Sequence, residues 1–223
     1  LDIETVPRWK SYTDVPDSCR ALWDHKAGNI RRSEDDTPES LFPRAGIYAE
    51  FGKIICISAG YFSGQQFRIK SCAGHDEKWV LETFSQLLSK FCRTPQHVLS
   101  AHNGKEFDFP YIARRMLVNG LDLPDILDLQ GKKPWEVNLI DTMEMWKFGD
   151  YKHYTSLALL SELFALPTPK ADIDGSQVAR VYYEDNDLDR IVRYCQYDTL
   201  TVARLFCRLR GLPVPGDDDV VIV

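Results

Sequence analysis

The chain has 223 residues, of which 44% are hydrophobic, and this length and composition suffice for one α/β domain with a sizeable core. The net charge of −6 excludes a protein that binds nucleic acid through its overall charge, although a local basic surface or bound cations can still contact phosphate. We expect neither a membrane-spanning segment nor a signal peptide, and the six cysteines show no C-x-x-C spacing, so we expect reduced thiols and a cytoplasmic setting.

The chain begins with a predicted strand. Leu1 and Ile3 alternate with Asp2 and Glu4, which is the period of a β-strand. Because this start is short, we expect upstream residues of the same strand to be missing. The polar residues 6–44 are predicted to be a long loop or an embellishment of a single domain that spans 1–223, and residues 212–223 a C-terminal tail.

Three further strands are predicted from segments rich in β-branched and aromatic residues. These segments are GIYAEFG at 46–52, KIICISAGYF at 53–62 and QQFRIKSCA at 65–73. A Ser-Gly pair at 63–64 predicts a hairpin turn between the last two of them. Apolar residues at helical spacing then predict a helix near 75–92, and HVLSAH at 97–102 is typical of a short buried strand.

The second half of the chain alternates between helices and a strand. Helices are predicted near 108–118, 155–165, 175–184 and 187–210, and VNLIDTMEMW at 137–146 opens with a strand. Hairpin strands followed by alternating helix and strand indicate a mixed sheet with helices packed against it.

Asp2 and Glu4 form the first group of interest. Residues two apart on a strand point to the same face, so their carboxylates project together while Leu1 and Ile3 pack on the other side. Two adjacent anions repel each other, and a divalent cation between them would relieve the repulsion. The alternative is an exposed edge strand with polar residues outward.

The second group is HNGKEFD at 102–108, where a strand leads into a helix. Asp108 stands at the mouth of that helix and could simply be its N-cap. Asn103 would then be a turn residue and Phe107 a core residue.

The third group is YCQYD at 194–198. Tyr194 and Asp198 are four residues apart in a predicted helix and therefore lie on one face, beside the apolar stripe that contains Cys195. The alternative is a boundary tyrosine followed by a surface aspartate.

Together the motifs LDIET, HNGKEFD and YCQYD, in this order, resemble those of the DEDD superfamily of 3′-to-5′ exonucleases in its tyrosine subclass. Two longer stretches, AGIYAEFGKIICISAGYF and PTPKADIDGSQVARVYYEDNDLDRIVRYCQYDTLTVARLF, are similar to bacterial stand-alone proteins related to the proofreading domain of family B DNA polymerases. The resemblance implies an α/β, ribonuclease H-like fold with a mixed five-stranded sheet flanked by helices.

The resemblance also implies hydrolysis of phosphodiester bonds from a free 3′ end, with release of nucleoside monophosphates. Two divalent ions, Mg²⁺ or Mn²⁺, about 3.5–4 Å apart would support this reaction. Carboxylates suit such hard cations, and we expect all four acids to be ionised at neutral pH, since the reference pKa of a carboxyl is about 4.

Each motif residue then has an implied role. Asp2, Glu4 and Asp198 would hold the metal that activates water, Asp2 would bridge to the second metal, and Asp108 would support that ion. Tyr194 would orient the attacking water rather than act as a simple base, since its reference pKa is about 10.

Four further residues are expected to contact the substrate. Thr5 resembles the residue that binds the 3′ hydroxyl, and Asn103 and Phe107 match positions near the penultimate nucleotide. Basic residues that could contact phosphate are Lys105, Arg114, Arg115, Lys147, Lys152 and Lys170, of which Lys170 is favoured because it lies in a family-like stretch.

The expected partner is single-stranded nucleic acid with a free 3′ end, DNA more than RNA, and no membrane; protein partners and oligomeric state are left open. Three alternatives remain: an exonuclease-like domain that binds nucleic acid with little activity, an exoribonuclease of the same fold, and a phosphatase with an aspartyl nucleophile. Glu4 argues against the last, because such phosphatases begin with D-x-D.

Overall fold

The computed structural model of the chain describes residues 1–94, 96–150, 154–167 and 172–223, and within them it has an α/β architecture. The strands are β1 (Asp2–Pro7), β2 (Gly52–Ser63), β3 (Gln66–Ala73), β4 (Leu99–Ala101), β5 (Leu139–Asp141) and β6 (Val220–Ile222). The α-helices are α1 (Asp17–Ile30), α2 (Pro38–Leu41), α3 (Glu77–Phe91), α4 (Asp108–Val118), α5 (Thr142–Lys147), α6 (Leu157–Leu163), α7 (Val178–Arg180) and α8 (Leu188–Arg210).

The strands form two sheets. A mixed four-stranded sheet has the order β1-β2-β3-β6, with antiparallel pairs except for the parallel pair β3–β6, and β4 and β5 form a separate parallel pair. The ladders therefore form two sheets instead of the single five-stranded sheet that the resemblance implies. The Leu1 amino group donates to Ser100 O at 2.6 Å, which links the start of β1 to β4. This single hydrogen bond is not sufficient to define a strand pair.

The first strand separates two parts of the core. Leu1 and Ile3 pack with α3 and α4, as predicted, whereas Val6 packs on the side of α7 and α8. The register of β1 with β2 shifts between Glu4, which pairs with Cys56, and Thr5, which pairs with Ile54. The extra residue of this bulge is Ile55 in β2, so β2 is irregular opposite the polar residues of β1.

Most predicted elements are present. The hairpin turn lies at Ser63 and Gly64, which has a φ of 63°, and the predicted helices near 75–92, 108–118 and 187–210 correspond to α3, α4 and α8. The last helix ends at Gly211, which has the left-handed conformation typical of a helix terminus. The predicted helix near 155–165 is the shorter α6, and that near 175–184 is α7 followed by a π-helical turn, Val181–Asp185.

The strand predicted for GIYAEFG at 46–52 is wrong. Residues Phe42–Ile47 form a 3₁₀ turn, a further turn follows in which Gly52 N donates to Tyr48 O, and β2 begins only at Gly52. Buried side chains explain the difference, because Phe51 packs edge-on against Trp23 with ring centroids 5.2 Å apart instead of joining a ladder.

The segment 6–44 is not a continuous loop. It contains the helix α1, the single turn α2 and a small core of its own, in which Trp23 and Phe42 are buried with ring centroids 5.5 Å apart. Within the predicted C-terminal tail, β6 pairs with β3.

None of the helices in the described ranges is long and apolar enough to cross a membrane.

Candidate active site

A cleft of about 640 Å³ opens beside β1. Its walls come from β1, the loop after β4, the start of α4, the middle of α8 and the 3₁₀ turn Phe42–Ile47. The motif residues that line it are Asp2, Glu4, Thr5, Asn103, Phe107, Asp108, Tyr194 and Asp198. Three segments that are far apart in the sequence therefore meet in one cavity.

The two acids of β1 point to the same side, as their spacing predicts. Ligand atoms of Asp2, Glu4 and Cys195 all lie within 4.8 Å of one another, and Glu4 is buried. Leu1 and Ile3 anchor the opposite face of the strand in the core. The local alternation of the sequence thus holds two carboxylates side by side.

Asp108 is the first residue of α4, and Phe107 occupies the N-cap position, so Asp108 is not the N-cap that the alternative interpretation requires. Its buried carboxylate accepts hydrogen bonds from the backbone N–H of Ile3 and from its own N–H. These contacts bring the start of α4 to β1.

Tyr194 and Asp198 lie one turn apart on α8 and share a side-chain hydrogen bond. The same helix places Cys195 beneath the cleft, where its thiol lies 3.4 Å from Asp2 O. The helix therefore brings a phenol, a thiol and a carboxylate to the strand that carries Asp2 and Glu4.

The pKa values of all four acids are raised above the usual carboxyl range, so without bound cations the cluster is not fully ionised at neutral pH. Burial raises the pKa of Asp108 to about 7 and that of Asp198 to about 6. Burial, followed by repulsion from neighbouring carboxylates, raises the pKa of Asp2 and Glu4 well above the usual range. Protons or cations must therefore neutralise part of this cluster.

Burial also raises the pKa of the Tyr194 phenol well above its usual range, and the charges of Asp198 and Glu4 add to this effect. The pKa of the buried Cys195 thiol is raised in the same way. Both groups consequently keep their protons at neutral pH and serve as neutral hydrogen-bonding groups.

Two buried oxygen atoms in the cleft lack a hydrogen-bond partner among the described residues, namely Asp2 Oδ2 and Asn103 Oδ1. A buried acceptor without a partner costs free energy unless a ligand satisfies it. Both atoms belong to residues that line the cleft, so they are free to accept from, or coordinate, a bound group.

Asn103 has the left-handed backbone that a turn residue adopts, with a φ of 60°, which is consistent with its alternative interpretation. Its position is fixed by Asp141, a buried residue that sequence reasoning missed. Asp141 accepts from the backbone N–H groups of Asn103, Lys105 and Met143 at 2.9, 3.1 and 2.9 Å. The only sequence signal was an aspartate at the junction between the strand and the helix in LIDT.

Thr5 and Phe107 both line the cleft and both have partners within the protein. Thr5 is hydrogen-bonded to the Tyr111 hydroxyl, which donates to Gly46 O at 2.7 Å. Phe107 is partly buried and packs against Tyr111, with ring centroids 5.4 Å apart. Each residue therefore combines a packing role with a surface that faces the cavity.

Of the predicted basic residues, those that the structure describes do not line the cleft. Arg115 is buried and bound to Glu77 Oε2 at 2.6 Å, which removes it from the candidates, and Lys105 is paired with Glu144 at 2.7 Å. Lys152 and the favoured Lys170 lie outside the described residues.

The cleft also contains residues to which the sequence analysis assigned no role, including Arg44, Ile47, Tyr154 and the first motif residue His102. Both ring nitrogens of His102 are engaged, one with Thr142 Oγ1 at 2.9 Å and the other with Thr155 O at 2.8 Å. Burial lowers the pKa of His102, so its ring is neutral and holds the loop after β4 against α5.

The chain matches a known protein family. A family described as predicted 3′-5′ exonucleases related to the exonuclease domain of PolB matches residues 47–214. The matched range contains Asp108, Tyr194 and Asp198, whereas Asp2 and Glu4 precede it.

Proposed function

This chain belongs to the family of predicted 3′-5′ exonucleases related to the exonuclease domain of PolB, and from this premise we propose that it is a metal-dependent exonuclease. It hydrolyses phosphodiester bonds from the 3′ end of single-stranded nucleic acid, DNA in preference to RNA, and releases nucleoside monophosphates. The observation that carries the proposal is the convergence of Asp2, Glu4, Asp108 and Asp198 on one cleft beside Tyr194.

The residues of the cleft fit divalent metal ions. Asp2 Oδ2 is buried and has no hydrogen-bond partner in the described part of the chain, and the raised pKa values of Asp2 and Glu4 indicate uncompensated negative charge. Carboxylate oxygens favour hard cations such as Mg²⁺ and Mn²⁺. Cys195 lies within reach of the same acids, but the motif ligands that line the cleft are four carboxylates, which favour hard cations over softer metals.

We assign Asp2, Glu4 and Asp198 to one ion, and Asp2 together with Asp108 to a second. When bound, two such ions supply a water of lowered pKa and stabilise the charge on the leaving oxygen. The protein supplies the positions, since β1, α4 and α8 each fix a carboxylate whose backbone is part of a regular element.

Tyr194 is assigned to orient the attacking water, as in the tyrosine subclass of the DEDD exonucleases. Its raised pKa excludes a role as general base near neutral pH, but a neutral hydroxyl can donate and accept hydrogen bonds at once. His102 lines the same cleft, but both of its ring nitrogens are already hydrogen-bonded, which favours the tyrosine.

The terminal nucleotides are assigned to the wall formed by Thr5, Asn103 and Phe107. The Thr5 oxygen retains lone pairs for the 3′ hydroxyl, Asn103 Oδ1 has no partner among the described residues, and Phe107 offers part of its ring to a base.

We further propose that β1 and β4 lie side by side, so that the two sheets form one ribonuclease H-like layer with β3-β2-β1-β4-β5 as consecutive strands. The bond from the Leu1 amino group to Ser100 O supports this order.

A digestion panel tests the function. Single-stranded DNA, duplex DNA and RNA, each labelled at the 5′ end, are incubated with Mg²⁺ or Mn²⁺, and Asp198→Ala is the inactive control. We expect a ladder that shortens from the 3′ end, fastest with single-stranded DNA, and its loss on adding a chelator. Internal cuts from the first time point, or no cleavage with either metal, would contradict the proposal.

A further inference from the structure

The 3₁₀ turn Phe42–Ile47 forms one wall of the cleft and is held from two sides. Phe42 and Ala45 are buried in the small core around Trp23. On the other side Gly46 packs directly on β1, where a β-carbon would lie only 2.9 Å from the backbone carbon of Val6. Only glycine permits this approach, so the turn is packed tightly against the strand that carries the acids.

A pair of hydrogen bonds strengthens this attachment. Tyr111 donates its hydroxyl to Gly46 O at 2.7 Å and is itself bonded to Thr5, which follows the acidic pair of β1. The turn, the strand and α4 therefore share one buried contact. Side chains that the turn presents to the cleft keep a fixed position relative to Asp2 and Glu4.

Within this turn, Arg44 and Ile47 have side chains that line the cleft and could contact a ligand. Arg44 is the one lysine or arginine among the described residues that line the cleft, and its guanidinium has no hydrogen bond or ion pair within the described part of the chain. Hydrogen bonds from the backbone N–H groups of Arg32 and Ser33 lower the pKa of the exposed Asp36, and the charge of Arg44 adds a smaller effect. Ile47 is 48% exposed and lines the cavity, so its apolar side chain is accessible to a bound group.

We propose that this turn is a clamp for the nucleic acid strand, in which Arg44 binds a backbone phosphate and Ile47 packs against a base. The inference rests on the proposed exonuclease function and names residues outside its carboxylate motifs. The four acids repel a polyanion, and a guanidinium on the wall of the same cleft gives a phosphate a positive partner with two parallel donors.

Binding tests the clamp without depending on cleavage. A 5′-fluorescein-labelled single-stranded DNA is titrated in Mg²⁺ with Asp198→Asn protein that carries a second change, and anisotropy is measured at several salt concentrations. We expect Arg44→Ala to weaken binding about tenfold, as for a lost charged hydrogen bond. The slope of log K against log salt should fall by about 0.7, the value for one phosphate contact on a single strand.

Arg32→Ala is the matched control, because Arg32 is an exposed arginine of the same N-terminal segment that does not line the cleft. It should leave both affinity and slope unchanged. Arg44→Lys should recover part of the affinity, and Ile47→Ala should weaken binding without changing the salt slope, since it removes no charge.

In otherwise wild-type protein Arg44→Ala should raise KM about tenfold and leave kcat within about twofold, because the contact is made equally in ground and transition states. Equal behaviour of Arg44→Ala and Arg32→Ala in both assays would overturn the clamp. Absence of cleavage by wild-type protein would instead overturn the exonuclease function, while the binding comparison would still decide the role of Arg44.

Discussion

Glu77 is buried and Asp2 is half-buried with its Oδ2 atom covered; both lie beside β2, but their surroundings differ. Glu77 accepts hydrogen bonds from Arg115 Nη2 at 2.6 Å, from Arg115 Nε at 2.9 Å, from Asn119 Nδ2 at 3.0 Å and from Ile54 N at 2.7 Å. Asp2 is crowded by other acids, and its Oδ2 has no partner among the described residues. The charge of Glu77 is neutralised by Arg115, whereas the described residues supply no cation to Asp2.

The difference distinguishes a carboxylate that stabilises the fold from one that belongs to the candidate site. The Glu77 network holds the backbone where β2 bulges, since it occupies the N–H of Ile54, the partner of Thr5. The acids of β1 use that scaffold but gain no comparable compensation among the described residues, and the proposed cations would offset the resulting electrostatic cost. Three experiments test this contrast.

Replacing Asp2 by asparagine tests the functional side and should have the largest effect. The rate of 3′ end degradation should fall at least about a thousandfold, because loss of a bridging carboxylate removes several kcal/mol of transition-state stabilisation. The free energy of unfolding in chelator at pH 8 should stay the same or rise, since a buried charge becomes neutral. A large loss of stability in urea titrations would instead make Asp2 a structural residue.

Replacing Arg115 by methionine tests the structural side. It leaves the Glu77 carboxylate buried without its cation, so the free energy of unfolding should fall by about 3–5 kcal/mol in urea titrations. The double change Glu77→Gln with Arg115→Met should recover part of this loss, because the amide oxygen can still accept from Ile54 N. Equal instability of the single and double variants would show that charge compensation is not what Arg115 provides.

The pH dependence of the metal-free protein is the smallest effect. A carboxyl whose pKa is higher in the folded state binds its proton more tightly there, so stability falls as pH rises from the unfolded value near 4 through about 6 for Asp198 and about 7 for Asp108. The Tm in chelator should therefore be several degrees lower at pH 8 than at pH 5, at about 2–4 °C per kcal/mol.

Added Mg²⁺ or Mn²⁺ should raise the Tm at pH 8 and have little effect at pH 5, where the carboxyls hold protons. Asp2→Asn with Glu4→Gln serves as the control and should flatten both dependences. A wild-type Tm that is equal at the two pH values and insensitive to metal would contradict the uncompensated cluster.

Local patterns predicted what depends on local sequence. The period of LDIET placed both acids on one face, and helical spacing placed Tyr194 and Asp198 together on α8. The hairpin β2–β3 was predicted from a Ser-Gly turn between β-rich segments. These features need no distant partner, so the sequence was enough to find them.

Features fixed by long-range contacts were missed. Phe51 and Trp23 bury each other, which turned a β-rich segment into irregular structure. Asp141 acquires its role only because it meets the backbone of Asn103, and Arg44 only because Gly46 packs on β1. The periodicity of a segment does not reveal which distant residue it will contact, and in these three cases that contact determines the structure.

The distance along the chain between the halves of the acid cluster affects when activity can arise. The contact between Asp2 O and Cys195 joins residues that are 193 positions apart, and α8 supplies Tyr194 and Asp198. During synthesis the first strand emerges from the ribosome long before this helix exists. A nascent chain therefore carries the two acids of β1 without the partners that complete the site, and the proposed activity arises only once the last helix has docked.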